Sequence, residues 1–521
     1  MPADAMRPAL SVVIPVYDNW WLTARCLRRL REVAQSGAVE FETIVVDNAS
    51  TDETPRGIAE FPEARYVRHD VNRNFAGACN AGVAAAEAPI TLLLNNDAYP
   101  LGDALAPLVA AFDRPDVAIA GGALFFEDGV TQAAGLVVLP NAHWHYSCRN
   151  LPANLDGVTA PRDALAVSGA AMAVRTQWFL DNGGFDESYV NGFEDVDLCL
   201  RANEAGQAIA YVAAARFAHY EGASAGRFDR EAQNERRFYA RWFSTMGTLP
   251  RVARGELGAI ALRSAAGSNP LVRAASTDLE EALRSFGHPL VRGAIAPWRR
   301  FDGRFRNAAT LGWFCDDVGA PGITISRREG ALPVIRTYGA IDVEVPWLPC
   351  ASAQRLRDFP LRASNDLECT TVAVAGAPEA AGELKRAGLE AKIVALTPAS
   401  LLGGAPADAA CVVHLGLTDD AAFGNVLLAE AGLPAVVLET VELRALFAPD
   451  VALVTGRNGI ADAVQRLLRD THAREAYGKV VAADARRRFS PRRSAIRIVD
   501  LLVAARFGLE RPAAARSNDP F

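Results

Sequence analysis

Residues 10–52 read LSVVIPVYDNWWLTARCLRRLREVAQSGAVEFETIVVDNASTD. Leu10–Val16 is a run of β-branched and apolar residues, the pattern of a strand buried on both faces. From Trp20 to Val33 the apolar residues Leu22, Cys26, Leu27 and Leu30 recur at helical spacing. Phe41–Val46 is a second buried strand. Strand, helix and strand in so short a span predict a right-handed parallel βαβ unit. Open sheets of this kind bind ligands beyond the C-terminal ends of their strands. Asp18 and Asp47 both fall on that edge. Two readings of Asp47–Asp52 stand side by side: Asp47 accepting hydrogen bonds from a base or ribose, or simple turn and cap chemistry. The second is enough for Ser50 and Asp52.

Working outward, Tyr66–Arg68 is a short third strand, and Asn72–Gly82 opens an alanine-rich helix. Gly77 lets backbone approach a ligand closely, and a helix N-terminus offers free N–H groups to an anion. Ile90–Leu94 is a fourth buried strand that ends in Asn95-Asn96-Asp97-Ala98. Asp97 is the one carboxylate there placed to hold a divalent ion, and Mg²⁺ and Mn²⁺ commonly bridge a protein carboxylate and substrate phosphates. Val117–Gly122, Leu124–Phe126 and Val167–Val174 read as further strands, and Thr176–Asn182 as a helix. His143 and His145 would share one face of a strand, half of a metal site; a surface or acceptor-side role is the simpler reading.

Residues 183–224 concentrate the chemistry. Asp186, Glu194, Asp195 and Asp197 fall in one short span, and a single histidine, His219, follows a strand-like run. A buried acidic cluster is costly unless it meets a cation, a proton or a substrate hydroxyl. From Val196 the pattern turns helical, so Glu194 and Asp195 sit at a helix N-terminus, where the macrodipole favours carboxylates. Asp197 alone reads as part of a solvated acidic face. Glu194 and Asp195, with the distant His219, read as catalytic.

Composition bounds the rest. The 521 residues suffice for two or three domains, with 50% hydrophobic and 22% charged residues. A net charge of −7 argues against nucleic acid as a partner. Eight single cysteines, none in a CxxC, fit a reducing compartment. The apolar N-terminal run is too short for a signal peptide, and no stretch reaches transmembrane length. A soluble, cytoplasmic protein is expected, with contact at the inner face of a membrane left open.

The segments SVVIPVYDN, VVDNASTD, NFAGACNAG, LLLNNDA, VSGAAMAVR, GGFDESY, FEDVDLCLRANEAG and HYEGAS stand in the order and rough spacing of family 2 glycosyltransferases. They most resemble the branch with rhamnosyl- and galactofuranosyltransferases of bacterial surface polysaccharides, over residues 8–245. The resemblance implies an α/β GT-A fold and an inverting, metal-dependent transfer from a nucleotide-sugar donor to a glycan, lipid-linked or protein acceptor. By the same resemblance Asp195 is the catalytic base, with Glu194 beside it. Asp97 matches the last acid of the DxD metal motif, here Asn-Asn-Asp. His219 completes the site for Mn²⁺ or Mg²⁺, and Ser224 lies in the same motif. Pro15, Tyr17, Asp18, Asp47, Asn74, Gly77, Asn80, Asn96, Asp97 and Gly169 are expected around the nucleotide sugar. The alternatives are a bifunctional transferase with a second, C-terminal site, and a non-catalytic scaffold subunit.

The expected domains are 1–248, the catalytic domain; 249–308, a helical and basic linker; and 309–521, a Rossmann-like α/β domain. Residues 291–314 interleave Arg292, Arg299, Arg300, Arg304 and Arg306 with aromatics, either a surface for anionic lipid or a solvated linker. In the third region apolar strands alternate with helical stretches. Its end resembles the C-terminal half of family 4, GT-B-type glycosyltransferases, with the expected acid replaced by Ala421. The basic helix around Arg486–Arg488, Arg492, Arg493 and Arg497 faces either a membrane or the protein interior.

Overall fold

The computed structural model describes residues 8–139, 141–222, 229–250, 432–447 and 450–508. It also describes shorter segments at 252–253, 259–264, 270–285, 290–292, 309–313, 321–326, 334–346, 371–375, 391–396, 409–415, 429 and 511–512. The chain divides into two compact units, Met1–Arg254 with Glu510–Phe521, and Gly255–Leu509.

The first unit starts as the sequence predicts. β1 (Leu10–Val16), α1 (Trp20–Ser36), β2 (Phe41–Asp47), α2 (Thr54–Gly57), β3 (Ala64–Arg68), α3 (Asn74–Ala84) and β4 (Ile90–Leu94) follow in order. The four strands are parallel, in the spatial order β4-β1-β2-β3. β1 is buried throughout, and successive side chains point to opposite faces. Val12, Ile14 and Val16 join the cluster that contains Cys26, Leu27 and Leu30 of α1. Val13 joins the cluster with Ala76, Cys79 and Val83 of α3. Each fully buried aliphatic side chain contributes roughly 1.5–3 kcal/mol. α1 stops where Gly37 takes a left-handed conformation (φ 66°) and its N–H closes on the Ala34 carbonyl.

The unit continues through β5 (Ala98–Pro100), α4 (Leu105–Ala110), β6 (Val117–Phe125), β7 (Thr131–Ala133), β8 (Leu136–Val138), β9 (Trp144–Tyr146), α5 (Asp156–Thr159), β10 (Arg162–Asp163), β11 (Ala171–Arg175), α6 (Thr176–Asp181), α7 (Glu194–Glu204), β12 (Ala208–His219) and α8 (Glu231–Met246). One sheet takes the order β10-β12-β6-β11-β4-β1-β2-β3, with β5 on β12 and β7 on β6. β11 lies antiparallel between β4 and β6. It starts at Ala171, later than the run of small residues suggests, because Gly169 and Ala170 form a turn at the sheet edge.

In the second unit, the stretch expected as a linker contributes strands Ile260–Ser264 and Leu290–Arg292 around helix Pro270–Ser285. They pair in parallel with each other, and Ile260–Ser264 also pairs with Ala309–Trp313, as part of a six-stranded sheet. The Ile-Ala-Leu core of the first strand is short, and its apolar character is masked in the sequence by neighbouring alanine-rich helix formers. Five parallel strands between Thr371 and Thr455 form a second sheet, in the order second-first-third-fourth-fifth, one of the two common doubly wound arrangements. This is the α/β organisation expected of the region. Of the basic helix residues, Arg488 and Arg497 are buried: Arg488 donates to the Leu446 carbonyl at 3.1 Å, and Arg497 to the Pro346 carbonyl at 3.2 Å. Arg299, Arg300, Arg304 and Arg306 lie outside the described residues. No described helix is long and apolar enough to cross a membrane.

Cys26, Cys79, Cys199 and Cys411 are buried and not in disulfides. Burial pushes all four thiols up, Cys411 to about 12, and the Glu194 carboxylate adds to the effect at Cys79. Thiol labelling of the native protein at neutral pH is therefore expected to leave these four unmodified, and denaturant to release them. Mass mapping of the labelled peptides checks it; native labelling of Cys79 would contradict the packing of α3 on β1.

Candidate active site

The C-terminal ends of β1, β2 and β4 open onto a cavity of about 350 Å³. Pro15, Val16 and Tyr17 line it from β1, and Asn48 from the residue after β2. Asn72, Asn74 and Phe75 come from the start of α3, and Asn95, Asn96 and Asp97 from the end of β4. Ser168, Gly169 and Ala170 come from the turn before β11, and Val190, Asn191, Glu194 and Asp195 from the start of α7. Tyr146, Asp229 and Arg230 complete the wall.

The start of α7 is held in an unusual backbone. Asn191 (φ 55°) and Phe193 (φ 74°) both take left-handed conformations without being glycine, a strain that persists only where the surroundings enforce it. Asn191 Oδ1 accepts from the Phe75 N–H at 3.2 Å, which ties α7 to α3. Asp195 Oδ2 accepts from the Gly169 N–H at 2.8 Å. A Cβ on Gly169 would stand 3.1 Å from the Asp195 Cβ, so the glycine is what lets the turn come this close. Glu194 is buried and its carboxylate turns back to accept from the Gly192 N–H at 2.6 Å.

Asp97 and His219 meet. His219 ends β12, which pairs with β5 so that His219 lies opposite Ala98. His219 Nε2 is 3.2 Å from Asp97 Oδ1 and 3.3 Å from Asn95 Nδ2, and both His219 and Asp97 are buried. Asn95 Oδ1 is buried with no hydrogen-bond partner among the described residues. No group of three or more His, Cys, Asp or Glu side chains able to hold a metal ion occurs among the described residues.

The structure therefore brings Pro15, Tyr17, Asn74, Asn96, Asp97, Gly169, Glu194 and Asp195 to one cavity, with His219 against Asp97. It does not bring Asp47, Asp18, Gly77 or Asn80 to it. Asp47 is fully buried: Oδ1 accepts from the Ser50 N–H at 2.8 Å, and Oδ2 from the Tyr66 hydroxyl at 2.5 Å and from Arg68. Asp18 Oδ1 accepts from the Thr51 N–H at 2.7 Å and joins two loops. Asp52 Oδ2 accepts from the Trp20 N–H at 2.8 Å at the start of α1, the cap chemistry foreseen for it. Gly77 is a glycine because a Cβ would stand 2.8 Å from the Cβ of Arg73. Asn80 pairs both ways with the Phe185 backbone, at 2.9 Å each. His143 is exposed and lies 3.6 Å from Glu235, in no metal-binding group among the described residues. Ser224 lies outside the described residues. Asn48 was missed. On a strand end, the residue after an inward-facing side chain turns the other way, and that alternation was the signal available.

Asp197 is not part of a solvated face. It is fully buried, accepting from Trp242 Nε1 at 2.9 Å and Arg201 Nε at 2.9 Å, with Arg241 at 3.1 Å. Helix α8 covers it, and one helix read alone could not disclose that.

Residues 11–157 match the model of Glycosyl transferase family 2, and residues 90–266 that of Glycosyl transferase family group 2. The chain is similar to the O-antigen biosynthesis protein RfbC of Myxococcus xanthus, 30% identical over 228 residues that make up 42% of this chain and 18% of that protein. It is also similar to the N-acetylglucosaminyl-diphospho-decaprenol L-rhamnosyltransferase of Mycobacterium tuberculosis, 28% identical over 35% of this chain and 68% of that one. Among solved structures it is similar to GalNAc-T7 with UDP, GalNAc and Mn²⁺, at 16% identity, over 46% of this chain and 50% of that one, with a TM-score of 0.38. The chain thus spans under a fifth of the length of the first relative. The two family models together cover residues 11–266, through the ten-stranded sheet and the cavity at its edge.

Proposed function

We propose that the N-terminal unit, read as a GT-A domain, moves a sugar from a nucleotide-sugar donor to an acceptor hydroxyl with inversion at the anomeric carbon. The observation that carries this reading is the cavity lined by both Asp195 and Asp97, with His219 3.2 Å behind Asp97. Asp195, oriented by the Gly169 N–H, accepts the proton of the acceptor hydroxyl as its oxygen attacks the anomeric carbon. The bond from that carbon to the diphosphate breaks, and attack from the side opposite the leaving group inverts the centre. Asn48, Asn74 and Asn96 line the part of the cavity beside β1 and α3 where the nucleotide would lie. Arg230 supplies a positive charge at the cavity wall.

The residues at Asp97 fit a divalent cation that takes the rest of its shell from a diphosphate. A carboxylate and an imidazole face each other at 3.2 Å, and the Asn95 amide, whose oxygen has no partner among the described residues, reaches the imidazole at 3.3 Å. Such a cation, when bound, supplies charge neutralisation for the leaving diphosphate. The names of the relatives favour an acceptor in surface polysaccharide or glycoconjugate synthesis, lipid-linked glycan included.

The test is turnover across a panel of nucleotide sugars with Mn²⁺ or Mg²⁺. One donor is expected to be consumed only with the cation present, and Asp97→Ala is expected to lose about 10²-fold or more, several kcal/mol of charge stabilisation. Turnover that persists in chelator and in Asp97→Ala would remove the cation from the reaction. Calorimetry with the same donors separates an enzyme lacking its acceptor, which binds one, from a protein with no donor site.

A further inference from the structure

Gln132 sits on β7, 1% exposed, outside the cavity and outside every role assigned so far. Its Oε1 lies 2.7 Å from His219 Nδ1. Its Nε2 lies 3.4 Å from the His219 carbonyl oxygen and 3.4 Å from Glu221 Oε2. A carbonyl oxygen and an ionised carboxylate only accept. Turning the amide over would set its oxygen against both of them. The neighbours therefore decide the orientation, although oxygen and nitrogen look alike. With Oε1 facing the ring, Nδ1 carries the proton and donates it. In the neutral ring Nε2 is then the bare nitrogen, and Nε2 is the atom that faces Asp97.

Glu221 keeps Gln132 in place. Its Oε2 also accepts from Arg149 Nη2 at 2.8 Å. The Arg149 guanidinium lies 5.2 Å from the ring centres of both Phe126 and Tyr146. Glu221 itself has a left-handed backbone (φ 57°), which a non-glycine residue adopts only when it is held there. The bare Nε2 lies 3.3 Å from the Asn95 amide nitrogen and 3.2 Å from the Asp97 oxygen; with the latter its lone pair repels by itself and attracts when both point at one cation.

We propose that Gln132, locked by Glu221 and Arg149, is a positioning residue that holds His219 in its Nδ1–H form so that Nε2 can face a divalent cation beside Asp97. The proposal rests on the cation reading of the Asp97–His219 pair. Partners of this kind typically change metal affinity by 10–100-fold when removed.

The experiment uses the full chain labelled with ¹⁵N-histidine, at a pH of about 8, above the ordinary imidazole range. His219→Gln assigns the ring signals by their disappearance. The wild type is expected to show a protonated Nδ1 and a bare Nε2 at His219, a measurement that needs no destabilised variant. Calorimetry with Mn²⁺ alone then compares wild type and Gln132→Leu, and the ¹⁵N signals read the His219 tautomer in both. The leucine variant is expected to bind Mn²⁺ about 10–100-fold more weakly and to lose the preference for a proton on Nδ1. A proton on Nε2 in the wild type overturns the role of Gln132 while leaving the cation reading intact. So does Mn²⁺ affinity unchanged in Gln132→Leu. A bare Nε2 in a wild type that binds no Mn²⁺ overturns the cation reading, and the purpose given to Gln132 falls with it.

Discussion

Asp195→Asn is expected to lower turnover by about 10²–10⁴-fold while donor affinity stays within a few-fold of the native value. The asparagine oxygen can still accept from the Gly169 N–H, as Asp195 Oδ2 does at 2.8 Å, so the turn and the start of α7 keep their geometry. What disappears is the capacity to take a proton. A hydroxyl is a poor nucleophile until its proton has somewhere to go, so the loss belongs in kcat. Single-turnover rates and donor calorimetry on the two proteins check this. A fall of less than tenfold in the rate would move the base elsewhere, with Glu194 the next carboxylate on the same cavity wall. An equal fall in rate and donor affinity would make Asp195 a structural residue.

The second large effect is on stability. Asp197→Ala is expected to destabilise the N-terminal unit by about 3 kcal/mol. The carboxylate is fully buried and joins three parts of the fold: Arg201 one turn along α7, Trp242 and Arg241 on α8, and the Tyr189 hydroxyl at 3.4 Å. Burial, together with the neighbouring Asp197 carboxylate, pushes the Tyr189 phenol up. Removing the carboxylate leaves the Trp242 N–H without its acceptor and strips a charge partner from two arginines. Arg241 is 43% exposed and can return to water, which keeps the cost below that of a fully enclosed pair. Asp197→Asn, which keeps an acceptor for Trp242 but no charge, is expected to lose about half as much. Denaturant unfolding followed by tryptophan emission provides the measurement. Two variants within about 0.5 kcal/mol of wild type would show that α8 is not latched through this residue.

These two aspartates also mark what could be read from the chain. β1, β2 and β4 were legible because strands buried on both faces spell themselves as unbroken apolar runs, and their ends placed Asp97 at the cavity without any further information. Asp195 and Glu194 were legible as a pair because acids at a helix start are locally marked. Burial by a distant element was not legible. Asp197 looked solvated until α8 lay over it, and the Tyr66 and Arg68 side chains that hold Asp47 come from another strand. Asn80 and Gly77 sat in the right motif but face the Phe185 backbone and Arg73 rather than the cavity. In the second unit, strand Ile260–Ser264 was read as helix because its alanine-rich surroundings favour helix and only sheet partners up to Trp313 make it a strand.

The antiparallel insertion of β11 and the late arrival of β12 have a consequence for how the site comes into being on the ribosome. β1 to β4 are joined by short crossovers and can pair as soon as they are made. Asn95 and His219 are 124 residues apart in the chain yet in contact, and His219 reaches Asp97 only after β12 has paired with β5. At ordinary rates of synthesis, about 5–20 residues each second, that gap lasts about 6–25 seconds. During it the parallel strands β1 to β4 are made but neither His219 nor the α7 carboxylates are in place. A partly made protein therefore has no complete cavity, and whatever chemistry the site performs waits until the sheet is whole.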